Sequence, residues 1–504
     1  MGRLRDLPFL VILMGIACVA MLVPAVHAAA LQSYLVGRAF LYSGLLLLVL
    51  TGMIAIAAAT YRPRSTGRSH LAALLGAYLV LPPMLALPLY VVLGDTSYLN
   101  AWFEMVSSFT TTGATVYTPA SRLPPSVHLW RALVGWLGGA FILISAATIL
   151  APMNLGGFEV LSPRRLGQGE GTAAALMRGT SHPSDRLWHF TLRLAPVYAG
   201  LTLALTLGLI VASDTALVAA CHAMSIISTS GISPVAGLGG SSAGFAGEGL
   251  MLMGLCLALT RRSLPGAVRI SAGQSLRQDP ELRLAFVFIT LVPLALFARH
   301  WIGAFGNDSP AAIGLALTAL WGAIFTVVSF LTTTGFVSAG WDEAQLWSGL
   351  QTPGLILLGL AIMGGGVATT AGGVRLLRVY ALYRLGRREL DRLSHPSVVE
   401  GGGLSDRRLR IDGAMVAFVF FMLFALSLGV ITAALALAGV EFDHAVVLSV
   451  AALTTAGPLA DAAGGLGYGV LGAAEKLTLG AAMIAGRIET LVLLALLMPG
   501  AWRK

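Results

Sequence analysis

The sequence predicts an all-α polytopic membrane protein. It has four pseudo-symmetric span–short helix–loop–span repeats around one axis, preceded by two extra N-terminal spans. Three observations carry that prediction. Of the 504 residues, 57% are hydrophobic and 11% charged, with a mean hydropathy of +0.83, whereas a soluble domain carries about 25% charged residues. Apolar runs long enough to cross a bilayer recur along the whole chain. Four similar Thr/Ser-Gly strings each close a shorter, half-apolar stretch.

Taken in order, the first apolar run, 8–30, follows Arg3 and Arg5 and is loosely signal-like. It is long for a cleaved segment, and a second run at 36–60 follows closely, so both are predicted as retained spans. Further spans are predicted near 71–94, 129–152, 187–212, 243–260, 284–303, 346–374, 411–438 and 468–498. Between them, stretches near 97–110, 215–228, 311–331 and 442–453 are too short or too polar to cross comfortably. The chain thus divides into two N-terminal helices (1–70), repeat one (71–165), repeat two (166–282), repeat three (283–409) and repeat four (410–504).

Charge sets the expected orientation. The formal net charge is +9, and the basic residues sit in short links at 62–68, 164–186, 261–283 and 375–410. All four links fall on one side of a ten-span chain. The other side carries Asp95, Asp214, Asp308, Asp342, Glu343, Glu441 and Asp443. By the positive-inside rule the basic side is cytoplasmic, with both termini there. No aromatic-interleaved basic patch points to nucleic acid; lipid is the expected surrounding. Cys18, Cys221 and Cys256 have neither metal-ligand spacing nor a disulfide framework, and read as free buried thiols. Trp102, Trp130, Trp301, Trp341 and Trp347 fall near predicted interfaces and read as anchors.

The four strings are SSFTTTGAT (107–115), MSIISTSGIS (224–233), VSFLTTTGF (328–336) and VAALTTAGP (450–458), with central glycines Gly113, Gly231, Gly335 and Gly457. A short helix cannot end in bare hydrocarbon, because its last carbonyls and the following loop would lack partners. Irregular backbone at membrane depth survives only inside protein or against a watery path. Glycine lets the backbone take φ > 0, so that successive carbonyls can face one axis. Thr and Ser add hydroxyl oxygens without charge. Four such loops would supply rings of oxygen dipoles that replace a cation's hydration shell. The axis is therefore read as an ion pathway, and each short helix as a pore helix aiming its negative end at it.

These strings resemble the Trk/Ktr/HKT superfamily of cation transporters, most closely its Trk branch. The likeness extends to Gly135-Trp136-Leu137-Gly138-Gly139, to GGGVATTAGGVRLLR (364–378) and to Gly486-Arg487-Ile488-Glu489. It implies a potassium pathway in one chain, with potassium as the transported ligand and no covalently bound cofactor. Carried over by motif, the potassium-binding filter comprises Thr111, Thr112 and Gly113; Thr229, Ser230 and Gly231; Thr333, Thr334 and Gly335; and Thr455, Ala456 and Gly457. Ser230 and Ala456 depart from the family pattern, where glycine and cysteine are common. The resemblance also implies a homodimer in a bacterial inner membrane, with a cytosolic nucleotide-binding regulatory subunit.

The run 364–373 is too rich in glycine to continue a helix. The resemblance implies a gate loop there, with Gly364, Gly365, Gly366, Thr369, Thr370, Gly372 and Gly373, worked against by Arg487. Arg487 and Glu489 lie inside the last apolar run, where a charge is costly and by default functional. Glu475 and Lys476 read as a surface pair, and Glu104 and His222 as residues near the outer mouth. Three rivals stand at this level: a symporter coupling potassium to sodium or protons, a receptor-like scaffold, which would not explain four matched loops, and a membrane-embedded enzyme. The chain contains no HExxH, nucleophile elbow or P-loop for the latter.

Overall fold

The computed structural model describes residues 8–58, 66–151, 156–160, 183–260, 279–303, 312–349, 352–394 and 411–489. Much of the four basic links, Asp308 and the end of the last predicted span lie outside the described residues, and so does the side chain of Trp301. The described residues hold helices and turns with no strand. Eight helices among them are long and apolar enough to cross a membrane.

The N-terminal spans are α1 (Phe9–Ala20) continued by α2 (Leu22–Ala30), and α3 (Tyr34–Ala58). The small and thioether side chains Met14, Ala17, Cys18, Met21 and Ala25 are buried. That stripe packs the pair onto α3 and onto the next span, α4 (Thr66–Leu93). His27 and Ser126 hydrogen-bond across the contact at 2.8 Å.

Repeat one continues with a short helix α5 (Tyr98–Phe109) and the span α6 (Pro125–Ser145), which ends in a π turn, Ala146–Leu150. Ser97 caps α5, its side chain accepting the Asn100 N–H at 3.2 Å. Repeat two has α7 (Pro183–Val211), the short α8 (Ala216–Ser228) and α9 (Gly244–Cys256). Repeat three has α10 (Pro280–Gly303), α11 (Ala312–Leu331), α12 (Trp341–Ser348), α13 (Gly354–Met363) and α14 (Leu376–Ser394). Repeat four has α15 (Ile411–Leu437), the short α16 (Phe442–Leu453), α17 (Leu459–Ala462) and α18 (Ala473–Ile488).

The packing order closes a circle. The second span of each repeat lies against the pore helix of the next: α6 on α8, α9 on α11, α13 on α16, and α18 back on α5. Glycine also lets the second span meet the short helix of its own repeat in repeats one and four. A Cβ on Gly138 of α6 would strike the Phe109 backbone at the end of α5, and one on Gly486 of α18 would strike Leu453 at the end of α16. Both glycines belong to the strings singled out from the sequence.

Several expectations are corrected. The stretch at 311–331 forms a helix of 20 residues, long enough to cross, whereas its counterparts have 12 or 13. The span expected at 346–374 is broken into α12 and α13, because Gly349 adopts a left-handed conformation (φ 58°) and ends α12. Trp130 and Trp341 are buried in the core instead of anchoring an interface. The Trp130 indole donates to the Leu85 carbonyl at 3.2 Å. Cys18 and Cys221 are buried, but Cys256 is exposed on the outer face of the helices.

α5 is fastened to α6 by Glu104 and Arg131, 2.6 Å apart and nearly inaccessible. Removing one partner strands the other charge, which costs about 3–5 kcal/mol in a buried pair. Glu104→Ala is therefore expected to lower the thermal midpoint in detergent sharply, and Glu104→Met with Arg131→Met to recover part of the loss. An unchanged midpoint in Glu104→Ala would show that the pair does not hold these helices.

Candidate ion pathway

Each short helix ends in the same way. Within two residues of each helix end a threonine sits in the left-handed region: Thr111 (φ 55°), Thr229 (51°), Thr333 (56°) and Thr455 (55°). Its N–H bonds back three residues, to the carbonyls of Ser108, Ile226, Phe330 and Ala452. The next N–H bonds back five: Thr112 to Ser107 at 2.8 Å, and Ser230 to Ser225, Thr334 to Ser329 and Ala456 to Ala451 at 2.9 Å each. These paired bonds are a Schellman motif, which closes helix ends that usually carry glycine at the left-handed position. A β-branched residue there is a steric outlier. Four threonines held in one disfavoured conformation mark these loops as functional candidates.

The hydroxyls fall into two tiers. Thr110, Ser228, Thr332 and Thr454 each donate to the carbonyl one turn back, at 2.7–2.9 Å. In three loops that hydroxyl also bonds the one two residues on: Thr110 to Thr112 at 2.8 Å, Ser228 to Ser230 at 3.1 Å and Thr332 to Thr334 at 3.1 Å. Ser230 thus reproduces the threonine arrangement, while Ala456 leaves the fourth loop without it. Among the left-handed threonines, Thr229 bonds the Ser228 carbonyl and Thr333 accepts from Gly372. The hydroxyls of Thr111 and Thr455 are buried without a hydrogen-bond partner, a state a hydroxyl rarely keeps unless a ligand meets it.

The loops close on one another in sequence. A Cβ on Gly113 would meet the Ser230 carbonyl, one on Gly231 the Thr334 carbonyl, one on Gly335 Pro458 at 3.0 Å, and one on Gly457 the Thr112 carbonyl at 2.7 Å. Gly113, Gly231 and Gly335 also have positive φ (76°, 65° and 86°). Gly457 does not. It donates its N–H to the Thr112 carbonyl at 2.6 Å, and its own carbonyl accepts from Tyr468 at 2.9 Å. The fourth loop is therefore bound into the ring by different bonds.

Below the ring, the segment 364–375 runs outside helical conformation, with positive φ at Gly364, Ala368, Gly373 and Arg375. It reaches the third loop and the end of α8 directly. The Gly372 N–H donates to the Thr333 hydroxyl at 2.7 Å, and the Thr370 hydroxyl donates to the Ile227 carbonyl at 3.4 Å. Arg487 donates to the Thr370 carbonyl at 2.6 Å. Gly365 and Gly366 lie against the backbone of Ala258 and Leu259 at the end of the second span of repeat two, and Thr369 donates to the Gly366 carbonyl at 2.7 Å. Every residue expected in the filter and gate lies in this one region.

Sequence reasoning missed several partners. Glu281, fully buried at the start of α10, accepts the Val367 N–H at 2.9 Å. Glu489 pairs with Arg375 at 2.9 Å and Arg378 at 2.7 Å, and Arg378 stacks over Phe420. Arg375 and Arg378 are therefore buried framework and not part of an exposed basic link. Lys476 is likewise buried, donating to Asn100 on α5 at 2.9 Å, and is no surface residue. Glu248 on α9 accepts from Trp321, Ser338 and Ala339, each at 2.7 Å, and so holds the strand leaving the third loop. For Glu248, Lys476 and Glu489 a charge in an apolar run was the available signal; the partners lie too far along the chain to be paired by spacing.

A circle of membrane helices whose four short helices end in matched, uncharged loops that close on one another is an architecture suited to a cation transport protein. Comparison with known proteins agrees. The TrkH family model, described as a cation transport protein, matches residues 282–500. The Trk system potassium uptake protein TrkH of Salmonella typhimurium is 30% identical over 416 residues, covering 80% of each chain. The Trk system potassium uptake protein TrkI of Halomonas elongata is 29% identical over 431 residues, covering 83% of this chain and 81% of that one. The crystal structure of the potassium transporter TrkH from Vibrio parahaemolyticus superposes with a TM-score of 0.78 at 27% identity, over 99% of this chain and 100% of that one. The chain belongs to the TrkH family.

Glu248 supplies a test of the loop's support. Glu248→Ala leaves three donors without their acceptor, at about 1–3 kcal/mol for each that stays buried. A marked fall in thermal midpoint is expected, and Glu248→Gln, which keeps an acceptor oxygen, should lose less than half as much. Equal losses in the two variants would show that packing, not hydrogen bonding, holds this strand.

Proposed function

We propose that this chain is the potassium-translocating membrane subunit of a Trk-type uptake system in a bacterial inner membrane. The observation that carries this reading is the ring of four left-handed threonines with their neighbouring glycines. Ions enter from the acidic side and shed water among the backbone carbonyls and hydroxyls of Thr111–Gly113, Thr229–Gly231, Thr333–Gly335 and Thr455–Gly457. Potassium needs weak, multiple oxygen dipoles to replace its hydration shell, and uncharged hydroxyls and carbonyls provide them. The segment 364–373 is the gate, held shut by Arg487 on the Thr370 carbonyl. The basic links face the cytoplasm with both termini, and the four repeats divide near 71, 166, 283 and 410. The working assembly is a homodimer with a cytosolic nucleotide-binding regulatory subunit, as a Trk system requires more than one component. The names of the relatives support transport of potassium; the gated path through one ring supports channel-like passage.

Three experiments test this. In reconstituted protein, the reversal potential should follow the potassium gradient alone; dependence on sodium or protons would instead indicate symport. Gly113→Ser and Gly335→Ser each add a side chain where the next loop's backbone or proline already sits. Each is expected to lower the potassium-to-sodium flux ratio about tenfold, the equivalent of about 1.4 kcal/mol. Unchanged ratios in both would remove the filter assignment. Separately, deletion of residues 368–371 should raise flux without the regulatory subunit, and an unchanged flux would sink the gate.

A further inference from the structure

The fourth filter loop leaves the ring differently from the other three. Gly113, Gly231 and Gly335 are followed by Ala114, Ile232 and Phe336, and the chain there runs on outside helical conformation. Gly457 is followed by Pro458, and the helix α17 begins at once. Proline is suited to a first helical turn, because its φ is preset and it has no N–H to leave unmet. Pro458 has φ −62° and ψ −10°, already helical. The new helix takes its first acceptors from the filter. The Leu459 N–H donates to the Ala456 carbonyl at 3.0 Å, and the Ala460 N–H to the Gly457 carbonyl at 3.2 Å.

Tyr468 adds a second donor to the same atom. Its hydroxyl donates to the Gly457 carbonyl at 2.9 Å. A carbonyl oxygen has two lone pairs, and at Gly457 both are taken, by Ala460 and Tyr468. Tyr468 is buried, and its ring lies against Phe103 of α5 with centroids 5.8 Å apart. Ala460 and Phe103 belong to the same buried cluster. Both donors therefore approach from the core, and the carbonyl is turned toward protein. Among the described residues, no protein hydrogen bond reaches the carbonyls of Gly113, Gly231 or Gly335.

Hydrocarbon stands where the fourth carbonyl is missing. A Cβ on Gly231 would come within 2.9 Å of the Pro458 ring, and one on Gly335 within 3.0 Å. The proline thus reaches the glycines of the second and third loops, while its own loop sends its glycine carbonyl the other way. One residue earlier in the turn the fourth loop behaves like the first: the hydroxyls of Thr455 and Thr111 are both buried without a partner. The threonine tier is four-sided and the glycine tier three-sided. Discrimination between potassium and sodium depends on how many carbonyl dipoles replace the hydration shell, so the glycine tier is the weaker one.

We propose that Tyr468 is a specificity-determining positioning residue: its hydroxyl holds the Gly457 carbonyl away from the ion path, leaving a three-carbonyl tier through which some sodium passes with potassium. The proposal rests on the potassium-filter reading and deepens it. Removing the hydroxyl returns one lone pair to Gly457 and leaves only the longer bond from Ala460 to hold the carbonyl back. The ring gains a fourth oxygen and discriminates more sharply. A residue that merely supported the fold would do the opposite, because losing its bond would loosen the loop.

The experiment is the potassium-to-sodium permeability ratio of the full-length protein in proteoliposomes, read from reversal potentials with potassium on one side and sodium on the other. The ratio does not depend on how many molecules are folded. Tyr468→Phe deletes one hydroxyl and keeps the ring on Phe103; the ratio is expected to rise about fivefold, the equivalent of one ordinary hydrogen bond. Pro458→Ala removes the ring from the fourth side and should also raise it. Phe103→Leu loosens the packing but keeps the hydroxyl bond, and should leave the ratio where it is. No rise in Tyr468→Phe, or in Pro458→Ala where the first variant does not assemble, overturns the proposal. A rise in Phe103→Leu as large as that in Tyr468→Phe assigns the effect to packing and overturns it too. An unmodified ratio near unity that Gly113→Ser leaves unchanged overturns the filter reading, and this proposal with it. A ratio above unity that Gly113→Ser lowers and Tyr468→Phe raises supports both.

Discussion

The constraint on which the rest of this structure depends is that backbone cannot leave the helix at membrane depth with its polar groups unmet. Each pore helix stops inside the protein, and each stop exposes carbonyls that the helix no longer uses. The Schellman bonds at Thr111, Thr229, Thr333 and Thr455 satisfy the N–H groups of the turn from below. Beyond them, the Thr112 carbonyl accepts from the Gly457 N–H and the Gly457 carbonyl from Tyr468. A proline or a polar cap would also end the helix; the left-handed turn reverses the chain within two residues and satisfies these N–H groups as it does so. The strain of a β-branched residue in that turn is the consequence of wanting a hydroxyl there as well.

Everything around the ring serves to hold that strained backbone. Gly138 and Gly486 let neighbouring spans come against the ends of α5 and α16. Glu104, Thr326 and Glu248 tie down the exit strands with buried bonds. Lys476 joins the last repeat to the first through Asn100. These are charged or polar groups deep in an apolar protein, each with a partner, as burial demands. Their number reflects how little help the surrounding apolar packing can give to an irregular loop.

This also explains what could be read from the sequence. The four Thr/Ser-Gly strings and the glycine-rich break at 364–373 were legible, because a local string that breaks helical pattern repeats itself or stands out. So was the membrane class, since it follows from composition. The clamps were not. Glu281 meets Val367, and Arg375 and Arg378 meet Glu489, across separations that no periodicity encodes. Arg375 and Arg378 in particular look like ordinary members of a basic link until Glu489 is seen beside them. The helix at Ala312–Leu331 misled for the opposite reason: a pore helix and a span share one apolar composition, and only packing against α9 and the turn at Thr333 identify its end with the other three.

The ring and the segment beneath it are not separate devices. Of the four left-handed threonines, Thr333 alone gives its hydroxyl oxygen to that segment, accepting from Gly372. Gly372 also abuts the backbone of Thr454 and the hydroxyl of Thr455, where a Cβ would come within 2.5 Å. The segment therefore occupies the inner face of two loops at once, while Arg487 and Glu281 hold it from the opposite sides through Thr370 and Val367. Under the proposed function, an ion at the innermost oxygens and the closed segment call on the same hydroxyls. Moving the segment away returns the Thr333 oxygen to the axis and makes its surroundings match those of Thr111 more closely. Under that reading, opening the path and completing the ring are one rearrangement, coupled through the bond from the Gly372 N–H to the Thr333 hydroxyl.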